Sequence, residues 1–292
     1  MSQSPAGPSS RSADALAVER LFAVRGKVAL VSGGSRGIGK MIATGLVRNG
    51  AKVYICSRTK TECDATAHEL TALGPGACIS IPADLQQLSE VERLVDEIKA
   101  REDALHILVN NAGATWVAEF DAFPDEAFSK ILTLNVQRAF SLTQQCLPLL
   151  RAAAVQGGRS GDTFLDPARI VNIGSVEGEA IPPRHTYAYA ASKAALHHLS
   201  RHFASRLGWE GITSNTIACG TFRSKMMAQI LRTQGEEIRR SRPLQRIGEP
   251  EDIAGAVLFL CSRAGAFVNG ATVALDGGGL VLGLIPHRES RL

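Results

Sequence analysis

The stretch Val28-Ala29-Leu30-Val31-Ser32-Gly33-Gly34-Ser35-Arg36-Gly37-Ile38-Gly39 decides how this chain is read. It begins as an apolar run short enough for one strand and ends in a glycine-rich turn that leads into a helical pattern. Glycines permit a tight turn and close approach of backbone to ligand, and a helix start presents unpaired N–H groups. Placed between a strand and a helix, such a turn is a cradle for a pyrophosphate. The cradle residues are expected to be Gly33, Ser35, Arg36, Gly37, Ile38 and Gly39.

Further strand candidates follow at Lys52–Ser57, Ala77–Ile81, Ile107–Asn110, Arg169–Ile173, Thr213–Ala218 and Thr272–Leu275. Between them apolar residues fall at helical spacing, as in Val91, Leu94, Val95 and Ile98. Apolar strands alternating with helices predict an α/β, doubly wound, Rossmann-type parallel sheet. Ligands then sit at the carboxyl ends of the strands. With no linker and no repeat, residues 26–292 read as a single domain after an arm, residues 1–25, expected to be disordered. The polar, Gly-rich residues 154–168 read as a surface loop. Residues 221–242, helical by pattern and following the sixth strand, read as a lid over the crevice.

The chain has 292 residues, 45% hydrophobic and 21% charged, with a formal net charge of +4. Its Lys and Arg are spread out, with no basic run interleaved with aromatics, so no nucleic-acid surface is expected. No stretch reaches the roughly 20 apolar residues of a membrane span. Cys56, Cys63, Cys78, Cys146, Cys219 and Cys261 are far apart and form no C-x-x-C pair. They read as reduced thiols of an intracellular protein, and with no secretory leader pattern the expected location is cytoplasmic.

The second strand ends Cys56-Ser57-Arg58-Thr59, where an acidic residue would bind the ribose 2′-hydroxyl of NAD. There is no acid. Ser57 and Arg58, with Arg36 from the glycine turn, instead suit a 2′-phosphate through charge-assisted bonds. Solvated surface arginines are the alternative; the two positions together favour NADP(H). Tyr189 and Lys193, four residues apart, share a helix face. A phenol with a pKa of about 10 is a poor acid–base group at neutral pH, and a neighbouring ammonium is expected to lower that value. Such a pair suits proton delivery to a carbonyl oxygen. Tyr187 has Ala191 at the same offset and forms no such pair.

The glycine turn, Asn110-Asn111-Ala112-Gly113 and Tyr189-Ala190-Ala191-Ser192-Lys193 together resemble the short-chain dehydrogenase/reductase family, over roughly Lys27 to Gly279. The resemblance implies seven parallel strands, a homotetramer or homodimer, and reduction of a ketone. Tyr189 would be the general acid, Lys193 its tuner and ribose ligand, Ser175 the group bonded to the substrate carbonyl, and Asn135 part of a water relay to Lys193. It further implies that Asp84 and Leu85 meet the adenine side of the cofactor, and that Asn111, Ala112, Gly113, Gly220 and Ser224 line its path. Ile217 is expected to reach the nicotinamide through its backbone. Cys219 replaces the proline the family usually has before Gly220.

Trp116, Ile181, His185, Met226 and Met227 are placed to line a partly apolar substrate pocket. Glu177 either faces the substrate or is a solvated loop carboxylate. His198 and His202 are spaced i, i+4, but no H-E-x-x-H pattern surrounds them, and no metal is expected. The substrate reads as a small-molecule ketone, with a 3-oxoacyl thioester or a secondary-metabolite ketone as the class. A catalytically idle NADP-binding scaffold or redox sensor is the rival, and all four catalytic positions carrying competent residue types argues against it. If Arg58 reads the 2′-phosphate, Arg58→Asp will move the ratio of kcat/KM for NADPH and NADH toward NADH. A variant that keeps a strong NADPH preference would refute the assignment.

Overall fold

In the computed structural model, which describes residues 16–182, 184–223 and 227–282, Val28–Ser32 forms a strand (β1) with all five residues buried, and Gly37–Arg48 forms the helix after it (α1). The alternation continues through β2 (Lys52–Cys56), α2 (Lys60–Ala72), β3 (Ala77–Ser80), α3 (Leu88–Lys99) and β4 (Ile107–Asn110). Then come α4 (Asp125–Leu132), α5 (Arg138–Gln156), the short strands β5 (Arg159–Ser160) and β6 (Thr163–Phe164), and β7 (Ala168–Ile173). The chain closes with α6 (Tyr187–Leu207), β8 (Ile212–Cys219), α7 (Ala228–Arg240), α8 (Pro250–Cys261) and β9 (Thr272–Leu275).

Seven of these strands form one sheet in the order β3-β2-β1-β4-β7-β8-β9, every neighbour pair parallel. The order reverses between β1 and β4, so the crevice at their carboxyl ends is the expected ligand site. Alternate side chains of each strand feed opposite layers. Ala29 and Val31 of β1 join the layer that contains Ile42, Leu46, Leu70, Ile253 and Val257 from α1, α2 and α8. Val28 and Leu30 join the layer containing Val91, Leu94, Leu142, Leu150 and Phe203 from α3, α5 and α6.

The opposite end of the sheet is closed by a buried cation. Arg169 on β7 is 1% exposed. Its Nε donates to Leu260 O at 3.1 Å, its Nη2 to Ser262 O at 3.0 Å and to Asp166 at 2.8 Å, and its Nη1 to Pro167 O. Lys27 adds a bond to Cys261 O at 3.2 Å and an ion pair with Asp166 at 2.8 Å. The carbonyls at Leu260 and Cys261 belong to the last turn of α8, which has no intrahelical donors for them. The two cations therefore cap α8 and fasten it to the base of the sheet.

Two expectations change. Val18–Leu21 forms a helical turn and Val24 is buried in the core, so the folded unit begins before residue 26. Residues 1–15 and 283–292 lie outside the described residues. The expected loop 154–168 is more ordered: α5 runs to Gln156, β5 and β6 pair as an antiparallel hairpin, and Ala168 opens β7. Gly161-Asp162 makes the two-residue turn, with Gly161 at φ 59°, a conformation that a two-residue hairpin requires. In the lid region, residues 228–240 are helical, and 224–226 lie outside the described residues.

Replacing Arg169 by Leu leaves three carbonyls and Asp166 without their shared donor, so it should lower stability by about 3 kcal/mol in urea unfolding. A loss under about 1 kcal/mol would contradict this reading of Arg169.

Candidate active site

The glycine turn is clasped to the end of β4. Asn111 Nδ2 donates to Ser32 O at 2.8 Å and to Gly33 O at 3.1 Å. Ser32 Oγ donates to Val109 O and accepts from the N–H groups of Asn111 and Ala112 at 2.9 and 3.0 Å. A Cβ on Gly39 would fall 2.3 Å from Gly33 O, and one on Gly33 would fall 2.9 Å from Asn111 Nδ2. Gly33 and Gly37 have φ of 65° and 54°, which side chains rarely adopt. Arg36 precedes α1 in extended conformation, and no side chain caps the helix N-terminus. Buried Ser35 accepts a bond from Thr66 at its carbonyl, and Ile38 packs on the core.

At the end of β2, Ser57 Oγ is buried without a hydrogen-bond partner among the described residues. Arg58 is exposed and makes no hydrogen bond or ion pair among the described residues. Arg36 holds a half-exposed pair with Glu62 at 3.2 Å. A cradle bare of side chains, an uncapped helix start, an orphan hydroxyl and a partnerless arginine fit a phosphorylated dinucleotide. Farther along, Asp84 accepts from Gln86 N at 3.2 Å beside buried Leu85. Gly113 sits so close to Asn135 that a Cβ there would lie 3.2 Å from its Oδ1 and 3.7 Å from Lys193 Nζ. Gly220 follows β8 and its N–H donates to Leu275 O at 2.9 Å. Ser224 and Met226 lie outside the described residues.

The expected catalytic residues meet at the end of β7. Lys193, 4% exposed, donates from Nζ to Ile173 O at 2.7 Å, and Nζ lies 5.5 Å from the centroid of the Tyr189 ring. Burial pulls the Lys193 ammonium down to about 8. Tyr189 departs from the expectation: burial raises its phenol above the ordinary value, and the hydrogen bond to Ser175 pulls the other way without reversing it. Ser175 is buried, and its Oγ accepts from Glu177 N at 3.2 Å.

Asn135 occupies a π-helical turn, Thr133–Gln137, between α4 and α5. Its side chain is fully engaged: Oδ1 accepts from Ala114 N at 2.9 Å, and Nδ2 donates to Ala114 O at 3.0 Å and Ser192 Oγ at 2.9 Å. It thereby ties the chain leaving β4 to α6. Glu177 is neither solvated nor free. Its carboxylate accepts from Arg184 Nη2 and from Thr186 Oγ1, both at 2.7 Å. Ile217 is corrected: it is a buried β8 residue whose carbonyl accepts from Gly174 N at 2.8 Å inside the sheet. The Cys219 thiol is buried and pushed up to about 12, which leaves no thiolate at neutral pH.

Around the site opening, Trp116, Val117, Phe120 and Ile181 are large exposed apolar residues. Tyr187 packs edge-on against Phe120 and Phe123, and its hydroxyl is 2.8 Å from His185 Nδ1. A cavity of about 540 Å³ lies between the segment from Glu177 to Tyr187 and Ala190, Ala191 and Ala194 of α6. His198 and His202 stand on the exposed face of α6 with their Nε2 atoms 3.2 Å apart. Reading the sequence passed over their neighbour His197, whose ring is 2% exposed and touches both Ser175 and Glu179. Its signal was present: His197 lies four residues after Lys193, on the face already carrying Tyr189 and Lys193.

A family model described as Enoyl-(Acyl carrier protein) reductase matches residues 33–279. The chain is 43% identical to the "Rhamnolipids biosynthesis 3-oxoacyl-[acyl-carrier-protein] reductase" of Pseudomonas aeruginosa, over 88% of this chain and 97% of that protein. It is 35% identical to the short-chain dehydrogenase/reductase PhomF of Diaporthe leptostromiformis, over 89% and 93%. The fold superposes on the Pseudomonas aeruginosa RhlG/NADP active-site complex with a TM-score of 0.83 at 42% identity, covering 89% of this chain and 98% of that one. With that family's model matched along most of its length and the Tyr189–Lys193 pair seated at the end of β7, the chain belongs to the short-chain dehydrogenase/reductase family of oxidoreductases.

Proposed function

We propose that the chain reduces a ketone to a secondary alcohol with NADPH. One observation carries this reading: Ser175, Tyr189 and Lys193 converge at the carboxyl end of β7, on the side of the sheet that holds the phosphate cradle. The cradle residues Gly33 to Gly39 would hold the pyrophosphate, and Arg36, Ser57 and Arg58 the 2′-phosphate. An exposed pair such as Arg36–Glu62 is worth about 0–1 kcal/mol, so a phosphate competes for that arginine at little cost. Asp84 and Leu85 would flank the adenine. Asn111, Ala112, Gly113 and Gly220 would line the path to the nicotinamide, whose ribose would meet Tyr189 and Lys193. The relative RhlG was solved with NADP. When bound, the cofactor supplies a hydride to the carbonyl carbon.

The chain's own groups handle the oxygen. Ser175 Oγ already accepts from Glu177 N and is hydrogen-bonded to the Tyr189 phenol, which sets its hydroxyl beside the position the substrate carbonyl would take. Tyr189 gives its proton to that oxygen as the C–H bond forms. Its raised pKa keeps the phenol protonated beforehand, which suits reduction rather than alcohol oxidation. Lys193 returns a proton to the phenolate. Asn135, its amide consumed by Ala114 and Ser192, takes part through water held at its backbone. The apolar opening of Trp116, Val117, Phe120 and Ile181 favours a ketone with an aliphatic chain, such as a 3-oxoacyl thioester, the substrate class in the name of the Pseudomonas relative. The described helix α7, Ala228–Arg240, would close over it as a lid, and two or four copies would associate.

Purified protein should consume NADPH with a 3-oxoacyl thioester, and Tyr189→Phe should lower kcat about 10²- to 10⁴-fold while keeping NADPH affinity. Binding of NADPH without turnover on any of a panel of linear, bicyclic and aromatic ketones would overturn the reading in favour of an idle scaffold. The charged Lys193 is present below its pKa of about 8 and lost above it, so kcat/KM should fall as pH rises through about 8. A profile flat to pH 10 would show that the ammonium is not required.

A further inference from the structure

At the carboxyl end of β7, α6 answers two backbone groups, Ile173 O and Ser175 N, with side chains one turn apart. Lys193 Nζ donates to Ile173 O at 2.7 Å, and His197 Nε2 accepts from Ser175 N at 3.3 Å. The group between them, Gly174 N, bonds to Ile217 O at 2.8 Å. Contact with the ring is close on two sides: a Cβ on Gly174 would lie 2.1 Å from His197 Nε2, and one on Gly178 would lie 2.9 Å from Cε1. Gly174 is therefore shaped to this ring, and Gly178 to the ring together with the α6 backbone at Lys193 and Ala194.

We propose that His197 is a positioning residue for Ser175, held in the tautomer that accepts at Nε2 by Glu179, and that protonation of this ring switches the site off. Glu179 Oε1 lies 2.6 Å from His197 Nδ1, and a carboxylate only accepts, so Nδ1 carries the proton. Nε2 is then left with the lone pair that the Ser175 N–H needs. A second ring proton would set N–H against N–H, and Ser175 would have to move. The charged groups that face the ring are Glu179 from the turn after β7, which raises its pKa, and Lys193 and Arg201 from α6, which lower it. Beside Gly174, β8 presents the neutral Thr216. Burial outweighs Glu179 and holds the ring below the ordinary histidine range, so at neutral pH it is unprotonated.

This inference rests on the proposal that Ser175 holds the substrate carbonyl, and it is tested by two separable measurements. Nitrogen-detected NMR of His197 in the free protein is independent of any substrate. It should show a protonated Nδ1 and a bare Nε2 at pH 7, with the Ser175 amide shifting as the ring titrates; a proton on Nε2 at pH 7 would overturn the tautomer. In steady-state reduction, His197→Leu should lower kcat by about tenfold or more with unchanged NADPH affinity. His197→Gln, whose carbonyl oxygen can accept from Ser175 N, should recover kcat to within about threefold of wild type and lose the acid limb of the pH profile. Glu179→Gln, which removes the charge that favours the protonated ring, should move that limb to lower pH. An acid limb that persists unchanged in His197→Gln, or full kcat in His197→Leu, would overturn the proposal. Absence of ketone reduction by the wild-type protein would instead overturn the proposed function and leave the NMR result to stand by itself.

Discussion

A parallel strand that stops inside a protein leaves its last backbone groups without partners, and buried polar groups of that kind must be satisfied. At the end of β7 the neighbours β4 and β8 supply only part of what is needed. Helix α6 supplies the rest by placing Lys193 against Ile173 O and His197 against Ser175 N. The same helix face carries Tyr189 a turn earlier. One helix therefore sets the position of the serine, the phenol and the ammonium relative to one another.

Burial gives this arrangement its electrostatic character. Desolvation disfavours every charged form, so it raises the Tyr189 phenol, lowers the Lys193 ammonium to about 8 and holds His197 neutral. The first keeps a proton ready on the phenol, and the second makes the lysine proton easier to release. A buried polar ladder behind the site keeps the elements in register. Asn110 bonds to Thr143 and Asn172, and Asn172 bonds to Ser200 and Ser214, linking β4, β7 and β8 to α5 and α6. Because every residue of this ladder is buried, loss of one member leaves others unpaired.

The parts of the fold legible in the sequence were those governed by local rules. Apolar runs such as Val28–Ser32 and the glycine turn read correctly because a buried strand and a tight turn each restrict residue type within a few positions. The hairpin at Arg159–Phe164 was missed because its strands are two residues long and mostly exposed, with only Gly161-Asp162 to mark the turn. The direction of the Tyr189 shift was misjudged because helical spacing shows that Lys193 is near, but not how strongly burial disfavours the phenolate. Ile217 was misplaced because a strand's end is set by which neighbours still pair with it. The pairing of Asn135 with Ala114 and of Glu177 with Arg184 and Thr186 depends on chain segments meeting in space, and periodicity carries none of that information. His197 had a local signal, its offset from Lys193, but no pattern in one sequence distinguishes its burial from the exposure of His198.

The most direct measurement follows the hydride. The protein would be incubated with NADPH deuterated at the transferable position and a 3-oxoacyl thioester, and the product examined by mass spectrometry and NMR. The expected result is one deuterium on the carbinol carbon of a secondary alcohol, formed by wild type and lost with Tyr189→Phe. Deuterium on a methylene carbon of a saturated acyl chain, or oxidised cofactor with no labelled product, would contradict ketone reduction at this site.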